Sequence, residues 1–230
     1  KVIFTGKFSK RISKNNTIYN LLKILDNNKK LRNQKYLIEV NKKIPQKSGM
    51  GGGSMNAAHI LKYLSNKQKL NLRSKEILRI ASKIGSDVVV GMQNKTSILY
   101  GSGEIKLLKK NINLFTLLVR PNSGCSTKAI YRDVRYFSRP VFKKNQRVNL
   151  NYKFLLKLKN DLEEPAFKKY PVLKKLKIFM EKMDDILFAR MTGSGSTIIG
   201  YFISKKAAVN ARKILKKKYQ KYWCILSKTI

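Results

Sequence analysis

Residues 44–58, Ile-Pro-Gln-Lys-Ser-Gly-Met-Gly-Gly-Gly-Ser-Met-Asn-Ala-Ala, carry the densest chemical information in the chain. Gly51, Gly52 and Gly53 are consecutive, so the backbone there can take positive φ and let another molecule come within contact distance. Ser54 follows as a candidate helix cap, and the helix it would open has an apolar side of Ala57, Ala58, Ile60, Leu61 and Leu64. A glycine loop feeding a helix N-terminus offers unpaired amide N–H groups at the positive end of the helix dipole, which suits a phosphate. By itself the string reads equally well as a Gly-rich turn before an ordinary helix. Two familiar nucleotide patterns are excluded. The loop lacks a Gly-Lys-Ser/Thr ending, and a G-x-G-x-x-G spacing would need glycine at Ser54.

Asp87 is the second candidate. It stands between Gly85-Ser86 and Val88-Val89-Val90, in a chain with 12 acidic residues against 51 basic ones. A carboxylate in so apolar a setting is expected to be poorly placed for solvent and suited to accept a hydroxyl proton. The plainer reading is a helix cap or a turn residue. Gly193-Ser194-Gly195 reads as a tight turn, and the Thr127 hydroxyl as a cap. His59, the only histidine, falls on the polar side of the helix after the loop and reads as surface. Glu104 and the pair Asp184-Asp185 have no metal-ligand spacing, and no metal site is expected from them. Cys125 and Cys224 lie far apart, again without ligand spacing, and read as reduced thiols in a cytoplasmic setting.

These groups need elements to hold them. Val2-Ile3-Phe4 reads as a short strand, and Asn16-Thr17 as the cap of a helix carrying Ile18, Leu21, Leu22 and Leu25. Tyr36 to Val40 is expected to be a strand leading into the glycine loop. A helix starts at Ser74, with Ile77, Ile80, Ala81 and Ile84 on one face and Gly85 placed for a left-handed C-terminal turn. Ser97 to Tyr100 is a further strand, and the continuous apolar run Leu114–Val119 suits a strand buried on both faces. Helices are expected near 151–163 and 171–183, the second with Pro171 in its first turn. Two strands, Ile186–Arg190 and Thr197–Phe202, flank the Gly193 turn. A helix through Ala207, Ala208, Ala211, Ile214 and Leu215 precedes a last strand at 222–226, with Tyr222 and Trp223 in the core. Mixed helices and short strands in two blocks indicate an α+β chain with two lobes, 1–105 and 106–230.

The charge of +39 admits three readings: a nucleic-acid or anionic-membrane footprint, steering of polyanionic substrates, or compositional drift in a chain rich in Lys, Asn and Ile. The cations are spread through nearly every segment, as in Lys29-Lys30, Lys42-Lys43, Lys109-Lys110, Lys143-Lys144 and Lys216-Lys217-Lys218, with no nucleic-acid motif beside them. That scatter favours drift and argues against specific nucleic-acid binding. A hydrophobic content of 43% argues against disorder. No run of eighteen apolar residues is present, so no membrane span is expected.

Taken together the motifs resemble the GHMP kinase superfamily. The string Pro45-Gln46-Lys47-Ser48-Gly49-Met50-Gly51-Gly52-Gly53-Ser54-Met55 is similar to the family's phosphate loop. Gly85-Ser86-Asp87-Val88 resembles its Gly-Ala-Asp-Val segment, and Gly101-Ser102-Gly103-Glu104 the Gly-x-Gly-Glu that follows. Pro121 through Ser126-Thr127 to Tyr131 looks like its Pro…Ser-Thr…aromatic segment. Asn160-Asp161-Leu162-Glu163 matches an Asn-Asp-Leu-Glu helix start, and Met191-Thr192-Gly193-Ser194-Gly195-Ser196 the third motif. The order is the family's, over nearly the whole chain.

The resemblance implies a ribosomal-S5-like first lobe, here incomplete, a ferredoxin-like second lobe and an active site in the cleft between them. It implies ATP and Mg²⁺, with 45–55 as the ATP loop, Asp87 as catalytic base, and Thr127, Gly193, Ser194 and Gly195 at the cleft or substrate. The branch most similar phosphorylates a hydroxyl of a cytidine diphosphate conjugate in the non-mevalonate isoprenoid pathway. A monomer or homodimer is expected. The departures are Met55 and Val89, where the family has Ser and Pro. In addition, the family's N-terminal strand with its catalytic lysine, and its Asp-Gly-Tyr-His segment, have no counterpart; Lys7 and Lys10 lack the matching context. The expectation is an N-terminally shortened chain. A homoserine- or mevalonate-type kinase, or a basic binding protein that kept the fold without the chemistry, are the alternative readings.

Overall fold

A computed structural model describes residues 1–230 except 32, 68, 69, 71, 102, 144–147, 149 and 230. Ser102, in the Gly101–Glu104 segment, and Lys144, in one of the lysine pairs, therefore lie outside the described residues. Packing divides the chain into two units. The first comprises Lys1–Gln46 and Gly51–Leu107, the second Lys47–Met50 and Leu108–Ile230.

In the first unit, β1 (Val2–Thr5) pairs in parallel with β2 (Ile38–Asn41), and α1 (Thr17–Asn27) lies between them in sequence. Asn16 starts α1 as its side chain predicts: its Oδ1 accepts from the Ile18 and Tyr19 amides at 3.1 and 3.3 Å. The helix then buries Ile18, Leu21 and Leu25. α2 (Gly52–Lys67), α3 (Ser74–Ile84) and the one-and-a-half-turn α4 (Ser86–Gly91) complete the helical layer. β3 (Ser97–Leu99) and β4 (Ile105–Leu107) form an antiparallel pair. Leu21, Leu25, Ala57, Ala58, Leu61, Ala81 and Val88 are fully removed from solvent in one cluster. Each large side chain among them contributes roughly 1.5–3 kcal/mol of burial.

Two local expectations for this unit are corrected. Ser54 does not cap the helix after the loop. That helix begins two residues earlier, with the Met55 amide donating to the Gly51 carbonyl at 2.9 Å, so Ser54 sits within its first turn. Packing of Ala57, Ala58 and Leu61 outweighs the helix penalty of about 1 kcal/mol for each of Gly52 and Gly53. Gly85 leaves α3 in an extended conformation, φ 159° and ψ 154°, not a left-handed one. The chain enters α4 at the next residue, and an αL turn would send it elsewhere.

The second unit is an antiparallel sheet in the order β6 (Ile186–Met191), β7 (Ile198–Phe202), β5 (Phe115–Arg120), β8 (Trp223–Lys228). β5 is an inner strand and buried after its first residue, which suits a run that is apolar apart from Thr116 and Arg120. Helices α7 (Glu163–Lys169), α8 (Pro171–Glu181) and α9 (Lys205–Lys218) cover the sheet; α5 (Thr127–Arg132) and α6 (Tyr152–Lys157) are short six-residue helices before them. Leu117, Leu173, Leu176, Met180, Ile198, Phe202 and Leu215 form the core. Pro171 opens α8, and the Ser204 hydroxyl caps α9 by accepting from the Ala207 amide at 3.1 Å.

The expected helix over 151–163 is broken. α6 stops at Lys157, and Asn160 takes the Leu162 amide onto its own Oδ1 at 3.0 Å, a side-chain bond that competes with helix continuation. Tyr222 and Trp223 are half-buried, and Cys224 is the buried residue at the start of β8. No helix among the described residues is long and apolar enough to cross a membrane.

Candidate phosphate-binding site

Within the first unit, the glycine loop and Asp87 meet. Gly51 has φ +61°, and a Cβ built on it would lie 3.5 Å from Asp87 Oδ2. Gly51 is the turn residue that L side chains resist, and its carbonyl receives the first helical bond of α2. The N–H groups of Gly52, Gly53 and Ser54 form the first turn and have no acceptor within the helix. The Met55 amide is spent inside the helix, so Met55 belongs to this site through its packing alone. Thr17 steadies the turn: its Oγ1 donates to the Gly53 carbonyl at 2.8 Å. Pro45 is buried beneath the loop, and Gln46 Nε2 donates to the carbonyls of Lys10 and Phe8 at 2.8 and 3.2 Å. Gln46 thus fastens the loop preceding α1.

Asp87 is exposed, against the expectation that its apolar neighbours would shelter it. Val88 and Val89 turn inward while Asp87, in the first turn of α4, turns outward. The reason is helical: one residue is a rotation of about 100°, so an Asp beside valines occupies the opposite face. Its placement beside Gly51 depends on Gly91, one turn later on the same helix. A Cβ at Gly91 would come within 2.6 Å of Met55 Cε and 2.9 Å of Ala58 Cβ. Only glycine lets α4 pack this closely on α2. His59 is exposed, with Nδ1 2.8 Å from the Met55 carbonyl, and takes no part.

Within the second unit, Lys47–Met50 lie on the third motif. The Ser48 carbonyl accepts from the Thr197 amide at 3.2 Å, and the Gly49 carbonyl from Thr192 Oγ1 at 3.0 Å. Ser196 Oγ donates to the Ser123 carbonyl at 2.8 Å and approaches that of Lys47 at 3.5 Å. Gly49, at φ +71°, has backbone atoms of Thr192 and Gly195 where a Cβ would go. Gly124 is equally confined, 2.8 Å from Lys47 Cβ by the same construction. Thr127 and Ser194 come together, their hydroxyls 2.8 Å apart. Ser126, not Thr127, caps α5. Cys125, behind Gly195, is buried, which pushes its thiol up to about 11 against the opposing influence of Arg120. A thiol so protonated is no nucleophile.

Among the described residues no three His, Cys, Asp or Glu side chains converge as a metal site. The sequence left Gly91 unnoticed, and it named Thr17, Thr192 and Ser196 without the carbonyl contacts that their hydroxyls make. Gly91 had a readable signal, an isolated glycine closing an apolar helical run.

Family models match both parts of the chain: the GHMP kinases N terminal domain over residues 16–102 and the GHMP kinases C terminal domain over 144–221. A relative from Pelagibacter ubique, named 4-diphosphocytidyl-2-C-methyl-D-erythritol kinase, is 48% identical over all 230 residues, which span 82% of its own length. One of the same name from Thermodesulfovibrio yellowstonii is 31% identical over 94% of the chain and 78% of the relative. A crystal structure of 4-(cytidine 5'-diphospho)-2C-methyl-D-erythritol kinase superposes with a TM-score of 0.74 at 23% identity, covering the whole chain and 81% of that structure. A homoserine kinase from Cytophaga hutchinsonii shares the fold at a TM-score of 0.63 and 16% identity. The chain therefore belongs to the GHMP kinase family, within it to the 4-diphosphocytidyl-2-C-methyl-D-erythritol kinases.

Proposed function

We propose that the chain transfers a phosphoryl group from ATP to the 2-hydroxyl of 4-diphosphocytidyl-2-C-methyl-D-erythritol, with Asp87 as the base. The observation that carries this reading is the Asp87 carboxylate lying beside Gly51 at the mouth of α2. A triphosphate fits the donor set there. The first-turn amides of Gly52, Gly53 and Ser54 and the Ser54 hydroxyl supply hydrogen bonds to phosphate oxygens, aided by the helix dipole. ATP supplies the γ-phosphoryl group. Thr17 keeps the Gly53 carbonyl turned away from the phosphate side by bonding it. Mg²⁺ would travel with the nucleotide, since it needs only one or two protein oxygens beside phosphates and waters; Asp87 and Ser54 offer them.

Asp87 takes the proton of the acceptor hydroxyl as its oxygen attacks phosphorus, and its exposure gives the acceptor access. Loop residues 45–50 shape the approach to α2, and we assign Thr127, Gly193, Ser194 and Gly195 to substrate contact in the second unit. The lobes are taken as 1–105 and 106–230. Two free, buried cysteines suit a reducing compartment, so the reading includes a cytoplasmic enzyme acting as monomer or homodimer.

Asp87→Asn tests the assignment. Purified parent and variant are supplied with Mg-ATP and 4-diphosphocytidyl-2-C-methyl-D-erythritol, and ADP release is followed. The variant's kcat should fall by roughly 10²–10⁴ while both KM values stay within a few fold. An unchanged kcat rules out Asp87 as base. A parent that turns over homoserine or mevalonate in preference to the cytidine conjugate rules out the substrate.

A further inference from the structure

We propose that Asn160 and Glu163 are positioning residues for the phosphate loop, acting through the turn at 191–193. The inference rests on the kinase reading above. Asn160 Nδ2 donates to two carbonyls of that turn, Met191 at 2.9 Å and Gly193 at 2.8 Å. Glu163 Oε1 accepts from the Met191 amide at 2.7 Å. Three backbone groups of two residues, Met191 and Gly193, are thereby held from a helix start about thirty residues away. The Glu163 carboxylate is itself fixed: Oε2 lies 3.6 Å from Lys177 Nζ, which also pairs with Glu181 at 3.0 Å.

Between the two gripped residues stands Thr192, whose Oγ1 donates to the Gly49 carbonyl at 3.0 Å. Gly193 presses on the same carbonyl, since a Cβ there would lie 3.2 Å from the Gly49 oxygen. Gly49 is held at φ +71°, two residues before Gly51 at +61°. A turn that drifts moves Thr192 Oγ1, and the Gly49 peptide follows it. The hairpin's own bonds, Thr192 amide to Thr197 carbonyl at 3.0 Å and Gly195 amide to Thr192 carbonyl at 2.9 Å, set its internal shape. They do not anchor it to anything outside β6 and β7. Asn160 and Glu163 anchor its first half, at 191–193, while Ser194 on Thr127 and Ser196 on the Ser123 carbonyl anchor the second. The plain alternative is that Asn160 merely starts α7, because its Oδ1 accepts from the Leu162 amide.

Asn160→Asp separates the two roles. It keeps the acceptor for Leu162 and the side-chain size but sets a carboxylate oxygen against the two turn carbonyls. In steady-state assays KM for ATP should rise about tenfold with kcat within about twofold and KM for the acceptor unchanged, the same rise appearing in ATP affinity by calorimetry. Glu163→Ala should act in the same direction, and Glu163→Gln, which retains the acceptor for Met191, should recover most of the loss. Combined with Thr192→Val, Asn160→Asp should add little further, because both act on the Gly49 carbonyl. Should Asn160→Asp melt below the assay temperature, Asn160→Ser takes its place. Parental ATP affinity in Asn160→Asp and Glu163→Ala, or full additivity with Thr192→Val, overturns the proposal while leaving the kinase reading intact. A parent protein that fails to bind ATP overturns both.

Discussion

Adding one methyl group at Gly91 tests how Asp87 is placed. In Gly91→Ala the new Cβ would stand 2.9 Å from Ala58 Cβ and 2.6 Å from Met55 Cε. Carbon atoms pack at about 3.5–4.0 Å, so α4 must retreat from α2 by about 0.6–1.1 Å, because Ala58 Cβ is carried on helix backbone and cannot swing aside. Overpacking of this kind costs roughly 1–3 kcal/mol. Replacing a helical glycine returns about 1 kcal/mol, which leaves a net loss of about 1 kcal/mol. Catalysis should suffer more than stability. Asp87 is one turn from Gly91 on the same face, so the retreat is passed to its carboxylate, and a misplacement near 1 Å can cost about 10²-fold. Urea unfolding and kcat for ADP release, measured together, should show a modest shift in midpoint and a kcat reduced by about 10–10². Met55→Ala in the Gly91→Ala background removes two of the three close contacts and should restore part of both. Parental kcat in Gly91→Ala would refute the reasoning that this helix contact positions the base.

Two glycines of the loop should fail in different ways. At Gly52 an added Cβ would meet the Ile44 side chain at ordinary contact distance, 3.7–3.8 Å, so Gly52→Val should fold and yet lose ATP binding in a calorimetric titration by blocking the first-turn amides. Gly49→Ala meets Gly195 backbone atoms at 2.7 and 2.9 Å with φ +71°, and should instead lower the unfolding free energy by at least about 2 kcal/mol. Acid should find Asp161: the hydroxyl of Ser138, and then its amide, hold the carboxyl below the usual carboxylate range. A depressed folded value gives stability that is whole above the unfolded value of about 3.9 and is lost as pH falls through the folded one. Asp161→Asn should therefore lower the melting temperature slightly at neutral pH and flatten the acid limb, the two profiles converging as pH falls below about 4.

Local chemistry made much of the fold readable in advance. Asn16, Pro171 and the apolar run of β5 signal their structures from within a few residues, and the structure places them accordingly. The glycine loop and Asp87 were legible as candidates for the same reason. What escaped is what depends on partners distant in sequence. The Thr17–Gly53 bond spans 36 positions, Asn160–Gly193 spans 33 and Thr192–Gly49 spans 143, so no local window contains both ends. Ser54 misled because a serine before an apolar run looks like a cap, whereas packing of Ala57 and Ala58 draws the two glycines ahead of it into the helix. Asp87 misled because apolar neighbours in sequence were read as neighbours in space.

The stretch Asn160–Glu163 has a consequence for how this chain tolerates sequence drift. Its four side chains do four different things: Asn160 binds two carbonyls, Asp161 binds Ser138, Leu162 is buried and Glu163 holds the Met191 amide. None is a surface position that another polar residue could fill. The 51 basic residues are all spread over the rest of the chain. Here a lysine would bring an ammonium where an acceptor or a planar amide is required. These four positions are therefore expected to resist replacement by lysine, each for a reason of its own.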